Sequence, residues 1–524
     1  MKRLSLASSL AAAAFVLSAG TALAAPFQCP VRGGDLVFGQ EANVNSLDQM
    51  TSSTISTRNI AMNIYESLMT RDENNRPILE LAESMEESGD GLTYTFRLRQ
   101  GITFHNGKPM TSADIVASFN RYNRIGLQRS TLDNVDRWEA PDARTFVIRM
   151  KQVQPTFIEA LSSFSVPIVV IPSEHENDER QQLRTVGTGP FRLLEFVPGS
   201  HARLGRFDGY QPNTAFEQRT GFGGYRVACL DTVTFRIVTE ASARVAGLET
   251  GALQAVEDVP TRSLESLRRN SAITILPLEN WWIQIALPNT ANPPTDNLAF
   301  RRAVQAALGM EDIMDAATDG NYRLNVGFQY PGRPAYTDAG RETYNINNPT
   351  RARALLRESG YRNEPIVILT NRDYPPMYNA ALVMQQQLRA VGINANLRVV
   401  DWPTSVQMSQ RVNSNEWHFF HSGWGTQPAL GALATMQFLV APGANYRPRD
   451  DKDDPDVLAA WNDMNNLRDP AARQEAFARM QRLVLERAYA YPFGALTKVQ
   501  AVRANVQGYV PFRIPRFSNV WMTR

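Results

Sequence analysis

The sequence predicts an α/β fold divided among more than one domain, and three observations carry that prediction. The chain has 524 residues, whereas a single hydrophobic core stops growing near about 250–300 residues. Residues 365–399 read as strand, helix, strand, the unit that builds parallel sheets. The first half alternates short strand patterns with helical ones and has no repeats or low-complexity runs.

The elements follow from pattern and punctuation. Leu92 to Leu98 alternates apolar with polar residues, the period of a half-buried strand. Thr111 or Ser112 can cap the next helix, with Asp114 three residues after Thr111 and Ile115, Phe119 and Tyr122 as its apolar stripe. Thr145 to Met150 and Val233 to Val238 are further strands. In the second half, Pro365 to Thr370 reads as a short buried strand. Ala381, Met384, Leu388 and Val391 recur at helical spacing, and Gly392 stands where a helix-ending glycine belongs. Ile393, Ala395, Leu397 and Val399 give another strand, and Glu416 to His421 one more.

The first two dozen residues read as a secretory leader. Lys2 and Arg3 precede an apolar run around Leu10 to Leu17, and Ala22-Leu23-Ala24 presents the small residues of a cleavage site. That run is too short to span a bilayer, and no second run approaches the length needed. Cys29 follows Pro26-Phe27-Gln28, which does not resemble a lipobox, so export as a soluble protein without membrane insertion is expected. Without Lys2 and Arg3 the chain carries 52 basic and 52 acidic side chains, a net charge of zero. Nothing in that balance favours nucleic acid or an anionic membrane. Two cysteines remain, Cys29 and Cys229. In an oxidising compartment one pair most often means one disulfide, the other reading being two buried thiols.

A search for catalytic chemistry comes back nearly empty. The chain holds no G-x-S-x-G elbow, phosphate-binding loop or H-E-x-x-H, and no catalytic residue or cofactor is expected. His418 and His421 are three apart, which on a strand puts them on opposite faces, so no metal site is assigned to them. The acidic run from Asp450 to Asp456 lacks the order of a calcium loop and reads as a solvated loop. Binding candidates are stronger. Ligands of open α/β sheets sit beyond the carboxyl ends of parallel strands, which points at Asn371 to Tyr374 and Ser422 to Gln427. Arg372 would offer a planar fork for a carboxylate or phosphate, or is a surface arginine. Trp424 lies between two glycines that leave its ring uncovered, a platform for stacking, or it plugs its own core.

Several blocks in order resemble family 5 solute-binding proteins of bacterial ABC importers, the oligopeptide, dipeptide and nickel group. They are Gly33 to Gly39 with Asn45 to Asp48; Ile64 to Leu68 with Leu81 to Ser84; Tyr94 to Pro109, continued by Ser112 to Val116; Gly187 to Phe191; and Val400 to Trp402. The resemblance runs from Gly33 to about Phe493. It implies a two-lobed periplasmic binding protein, class II-like and of cluster C, with an extra subdomain on the first lobe. Residues 25–280 would form lobe I, with the inserted subdomain at about 66–190. Residues 281–490 would form lobe II, and 491–524 would return to lobe I.

The resemblance also implies a function. The protein would be a periplasmic receptor, monomeric and not an enzyme. It would close around a small organic solute, peptide or peptide-like, and pass it to the transmembrane subunits of an ABC permease. Alternatives are an exported hydrolase on this scaffold or a chemosensory or chaperone-like receptor. Arg372 aligns with the arginine that takes the ligand carboxylate in the dipeptide branch, and Arg58 falls in a segment that approaches the ligand in the nickel branch. Trp424 matches a cleft tryptophan. The loop Gly425 to Gly431 lacks the aspartate that meets a peptide ammonium, so a ligand with an anionic group is expected. Tyr374 and Gln427 in the same loops, and Glu41 after the opening strand, complete the candidate ligand-binding set.

Overall fold

The computed structural model describes residues 26–424 and 454–523, apart from 75, 334 and 412, together with residues 436, 439 and 440. The leader, Gln427 with its loop, and most of the acidic run lie outside the described residues. Two large hydrophobic cores organise the chain. One gathers side chains from residues 36–255 and 502–520; the other is built almost wholly from residues 281–496 and 514. Ala42, Ile55, Phe164 and Phe222 join the second core from the first part of the chain.

A single 11-stranded sheet runs through both cores. In the first core, strand Asp35–Gln40 lies parallel to Thr232–Ile237 and to Ala255–Val256. In the second, Ile366–Thr370 lies parallel to Ala395–Val399 and to Phe419–Trp424. The helix between the first two of these is Pro375–Ala390, and Gly392 adopts φ +98° at its end, a conformation that only glycine takes without strain. The predicted strand–helix–strand unit is therefore present with its parallel register.

Two long antiparallel strands, Ile273–Pro288 and Tyr491–Arg503, connect the halves. Their outer ends pack into a small cluster around Leu248 and Leu267 beside the first core, while Trp281 to Leu287 and Tyr491 to Leu496 belong to the second. The chain thus crosses between cores near residue 280 and again near residue 497.

A separate four-stranded antiparallel sheet, ordered Ala82–Glu87, Thr93–Leu98, Thr145–Met150, Val135–Asp142, is covered by helix Ser112–Ile125. That helix starts as its sequence predicts. The Thr111 N–H donates to the Asp114 carboxylate at 2.9 Å, and Ile115, Phe119 and Tyr122 are buried. The most family-like blocks turn out to be packing devices. The Gly189 N–H donates to the Ile64 carbonyl at 2.9 Å, and a Cβ on Gly187 would sit 2.2 Å from that same oxygen. The His105 ring meets the Gly189 carbonyl at 2.9 Å, and burial holds its pKa down at about 4.

Cys29 and Cys229 are joined by a disulfide across a sequence separation of 200. It ties the start of the described chain to the segment entering strand Thr232–Ile237. For a loop of that length the chain-entropy model gives an upper figure of about 5 kcal/mol. The double variant Cys29→Ser/Cys229→Ser should therefore unfold at distinctly lower denaturant concentration than the wild type. Alkylation of denatured, unreduced protein should label no cysteine before reduction and two after it.

Candidate functional site

The crossing strands carry an irregularity that shapes the site. Between the pairs Leu278–Lys498 and Trp282–Leu496 the register shifts, and Asn280 takes φ +53°. Asparagine tolerates this left-handed region better than most residues, and such bulges re-aim side chains beside sites. Neighbouring strand residues normally face opposite ways. Here the indoles of Trp281 and Trp282 lie side by side, centroids 3.8 Å apart.

Lys498 projects from the partner strand onto this surface. Its ammonium stands 3.5 Å from the centre of the Trp281 ring, a cation–π contact strengthened by exclusion of water. The ammonium donates to Glu41 and, at 3.2 Å, to Glu257. Asn59 donates to Glu257 at 3.0 Å, and the Glu41 N–H donates to the other Glu257 oxygen at 3.1 Å. Arg244 reaches Glu41 at 3.4 Å, and the Val499 N–H donates to Asp258 at 3.4 Å.

Three carboxylates thus share two cations in a buried space. Burial, with the charges of Glu257 and Asp258, pushes Glu41 up to about 8 against the pull of Lys498 and Arg244. Burial alone would lower Lys498; Glu257, Glu41 and Asp258 hold it above the ordinary lysine value instead. With one proton on Glu41 the group is electrically neutral.

A cavity of about 170 Å³ opens beside this cluster. Glu41 and Asp258 line it from the first part of the chain, Trp281 and Lys498 from the crossing strands, and Tyr374 and Asn379 from the second. Tyr374 is 1% exposed and stands edge-on between Trp282 and Trp402, each 5.4 Å away. Burial raises its phenol well above the usual value, and among the described residues its hydroxyl has no hydrogen-bond partner. Asp373, one residue earlier, accepts from the Trp402 N–H at 3.0 Å. Bridges cross the cleft at Thr156–Asn465, 3.1 Å, and Gln407–Gln181, 3.5 Å. The two halves are therefore in contact, a closed arrangement.

The sequence-derived candidates divide. Glu41 and Tyr374 line the cavity, and Arg58 is buried close to Tyr374. Arg372 stays apart: it is exposed, its guanidinium lies 4.9 Å over the Tyr378 ring, and it donates to that hydroxyl at 3.1 Å. Trp424 is a correction. Its ring is not an uncovered platform but is 9% exposed within the second core. The reason lies in Gly423, whose missing side chain leaves room for the Trp282 indole; a Cβ there would fall 2.4 Å from that ring. The glycine serves Trp282, not Trp424. His418 and His421 make separate contacts, His418 accepting from the Val367 N–H at 3.0 Å and His421 lying 3.3 Å from the Met384 sulfur. Asp401 caps helix Trp402–Ser409.

Lys498, Glu257, Asp258 and Trp281 escaped the sequence reading. One signal was available: Lys498 is one of five lysines and falls within a mostly apolar strand. The carboxylates that answer it come from distant segments.

A profile described as bacterial extracellular solute-binding proteins, family 5, middle region, matches residues 76–445. The chain belongs to that family. Among relatives, it is 24% identical to the probable peptide ABC transporter periplasmic-binding protein y4tO of Sinorhizobium fredii, across 96% of this chain and 97% of the relative. It is 25% identical to the glutathione-binding protein GsiB of Escherichia coli, across 94% and 95%. Among solved structures, AgaA of A. tumefaciens in complex with agropinic acid aligns with a TM-score of 0.81 at 22% identity, covering 94% of this chain and 99% of that one. A dipeptide-binding protein from a Pseudoalteromonas in complex with Met-Leu aligns with the same TM-score and identity, covering 94% and 100%. The family fold is the two-lobed periplasmic binding protein.

Two outcomes follow from this geometry. Gly423→Ala should destabilise the chain by about 1–3 kcal/mol, since overpacking must displace Trp282; denaturant unfolding measures it. The second concerns pH. Glu41 titrates at about 8 when folded, against 4.5 ordinarily, so folding takes up a proton. Its contribution is fully present below about pH 4.5 and is lost as pH rises through about 8. Stability profiles from pH 5 to 9 should fall less steeply in Glu41→Gln than in the wild type.

Proposed function

We propose that this chain is the periplasmic receptor of an ABC importer, capturing a small peptide or peptide-like solute between its lobes and delivering it to the permease's transmembrane subunits. The observation that carries the reading is the hinge-side cavity, walled by residues of both halves, in a chain of the family 5 solute-binding fold. The names of its relatives agree, since y4tO is a probable peptide receptor and GsiB binds glutathione. The solved complexes hold a dipeptide and agropinic acid.

In this reading the leader is removed near Ala24 and the mature chain acts as a monomer. Lobe I comprises residues 25–280 and 491–524, with the small antiparallel sheet as its inserted subdomain at about 66–190, and lobe II comprises 281–490. Among the described residues no helix is long and apolar enough to cross a membrane. Solute enters between open lobes, and closure about the crossing strands buries it. The permease reads the closed form. The protein's task is capture and hand-over, with no bond made or broken in the solute.

A panel of di- and tripeptides, glutathione and opines tests this. The cognate solute should raise the melting temperature by mass action and reduce the radius of gyration in solution scattering. It should be recovered chemically unchanged. Turnover of the solute at catalytic rates would sink the receptor reading.

A further inference from the structure

Lys498 ends in a cage built from the parts of a receptor for an organic ammonium ion. An ammonium has three N–H donors and no acceptor. Here the nitrogen donates to Glu41 and, at 3.2 Å, to Glu257, and the Trp281 ring covers a further side with its centre 3.5 Å away. The Tyr374 ring closes the cage from the second half of the chain, 5.9 Å from the same nitrogen. Carboxylates combined with aromatic faces hold alkylammonium groups that have lost their water. Burial alone would lower Lys498, but Glu257, Glu41 and Asp258 raise it, so the occupant of the cage is a cation.

The walls of the cage are held by groups other than Lys498. The second Glu41 oxygen accepts from Arg244 at 3.4 Å, and Arg244 is itself fixed by the carbonyls of Val238 and Thr239 at 2.8 and 2.9 Å. Glu257 accepts from Asn59 at 3.0 Å and from the Glu41 N–H at 3.1 Å. Trp281 lies against Trp282, and Tyr374 is fixed edge-on between Trp282 and Trp402. The cage also opens onto the cavity, which Glu41, Trp281, Tyr374 and Lys498 all line. The wall of the cavity that would attract a positive group therefore already holds one, delivered by strand Tyr491–Arg503. Tethering gives that occupant a high effective concentration, which keeps free competitors out.

We infer that Lys498 is a specificity-determining residue of the cavity, its ammonium filling from within the chain a cage that otherwise takes a primary ammonium group of the solute. Shortening residue 498 unmasks that cage. The inference rests on the receptor reading and sets one wall of its site: solutes meet the Glu41 and Trp281 side of the cavity without placing a free ammonium there. Specificity of this kind comes from excluding a competitor rather than from a new attraction.

Lys498→Ala keeps Cβ and removes Cγ, Cδ, Cε and the ammonium, so n-propylammonium is the matching probe. Calorimetry at constant ionic strength should show Lys498→Ala binding n-propylammonium at least about tenfold more tightly than the wild type does. 1-Propanol, of the same length and without charge, should give no such gain. Loss of the lysine leaves buried carboxylates unanswered. If Lys498→Ala does not fold in sodium chloride, an equal concentration of n-propylammonium chloride in the refolding buffer should restore it. Equal binding by wild type and variant, an equal effect of propanol, or a variant that the amine does not restore overturns the cage. Specificity is read with the di- and tripeptides of the panel, each free and N-acetylated. The ratio of affinities, free over acetylated, should rise at least about tenfold from the wild type to Lys498→Ala. Where folding needs the amine, the free peptides and not the acetylated ones should displace it. An unchanged ratio, or displacement by both forms alike, overturns the specificity role and leaves the receptor reading standing. A wild type that binds no solute of the panel removes the receptor reading, and n-propylammonium still decides whether the cage is there.

Discussion

Everything in this molecule hangs on one lysine buried between two long strands. Lys498 lies on the return strand where the chain crosses between its cores, with almost no access to water. A charge in that position must be answered, because the interior cannot solvate it. Its answers come from Glu41, Glu257 and the face of Trp281. Glu41 stands 216 positions before Glu257 and 457 before Lys498, so the demand of one ammonium fixes how the opening strand, the segment after Ala255–Val256 and the crossing strands pack together. The contribution is one of geometry more than of stability: a buried ion network gains little over apolar packing, but removing one member leaves the rest uncompensated.

The same logic governs the other buried charges. On the acidic side the protein has supplied its own counter-ion, and a proton on Glu41 completes the balance. Arg58, buried in helix Ile55–Ala61, donates to the Ser165 carbonyl at 2.7 Å. Elsewhere in the chain buried arginines are matched with care, as Arg121 is by Asp48 at 2.7 Å.

The aromatic residues illustrate how a local pattern misleads when a neighbour is unseen. Glycines on either side of Trp424 suggested an open indole. The space left by Gly423 belongs instead to Trp282, which arrives from the paired strand and reaches it because the bulge at Asn280 turns two consecutive tryptophans to one side. No feature of residues 422–425 could have announced that. Likewise Arg372, well placed at the end of a parallel strand, is held outside by Tyr378 six residues later, on the helix that follows.

The sequence by itself determined the local elements and the class of fold. The capped helix at Ser112, the strand–helix–strand unit ending at Val399 and the glycine at 392 all depend on interactions within a few residues, where propensity, capping and periodicity act. Family blocks such as Gly187 to Phe191 were equally legible, and their meaning is backbone packing against Ile64. What only the tertiary structure decided was the site. Lys498, Glu257, Asp258 and Glu41 become one group through contacts separated by up to 457 residues. Charge complementarity and burial are properties of the assembled interior, and a linear chain does not display which of its charges will be left without water.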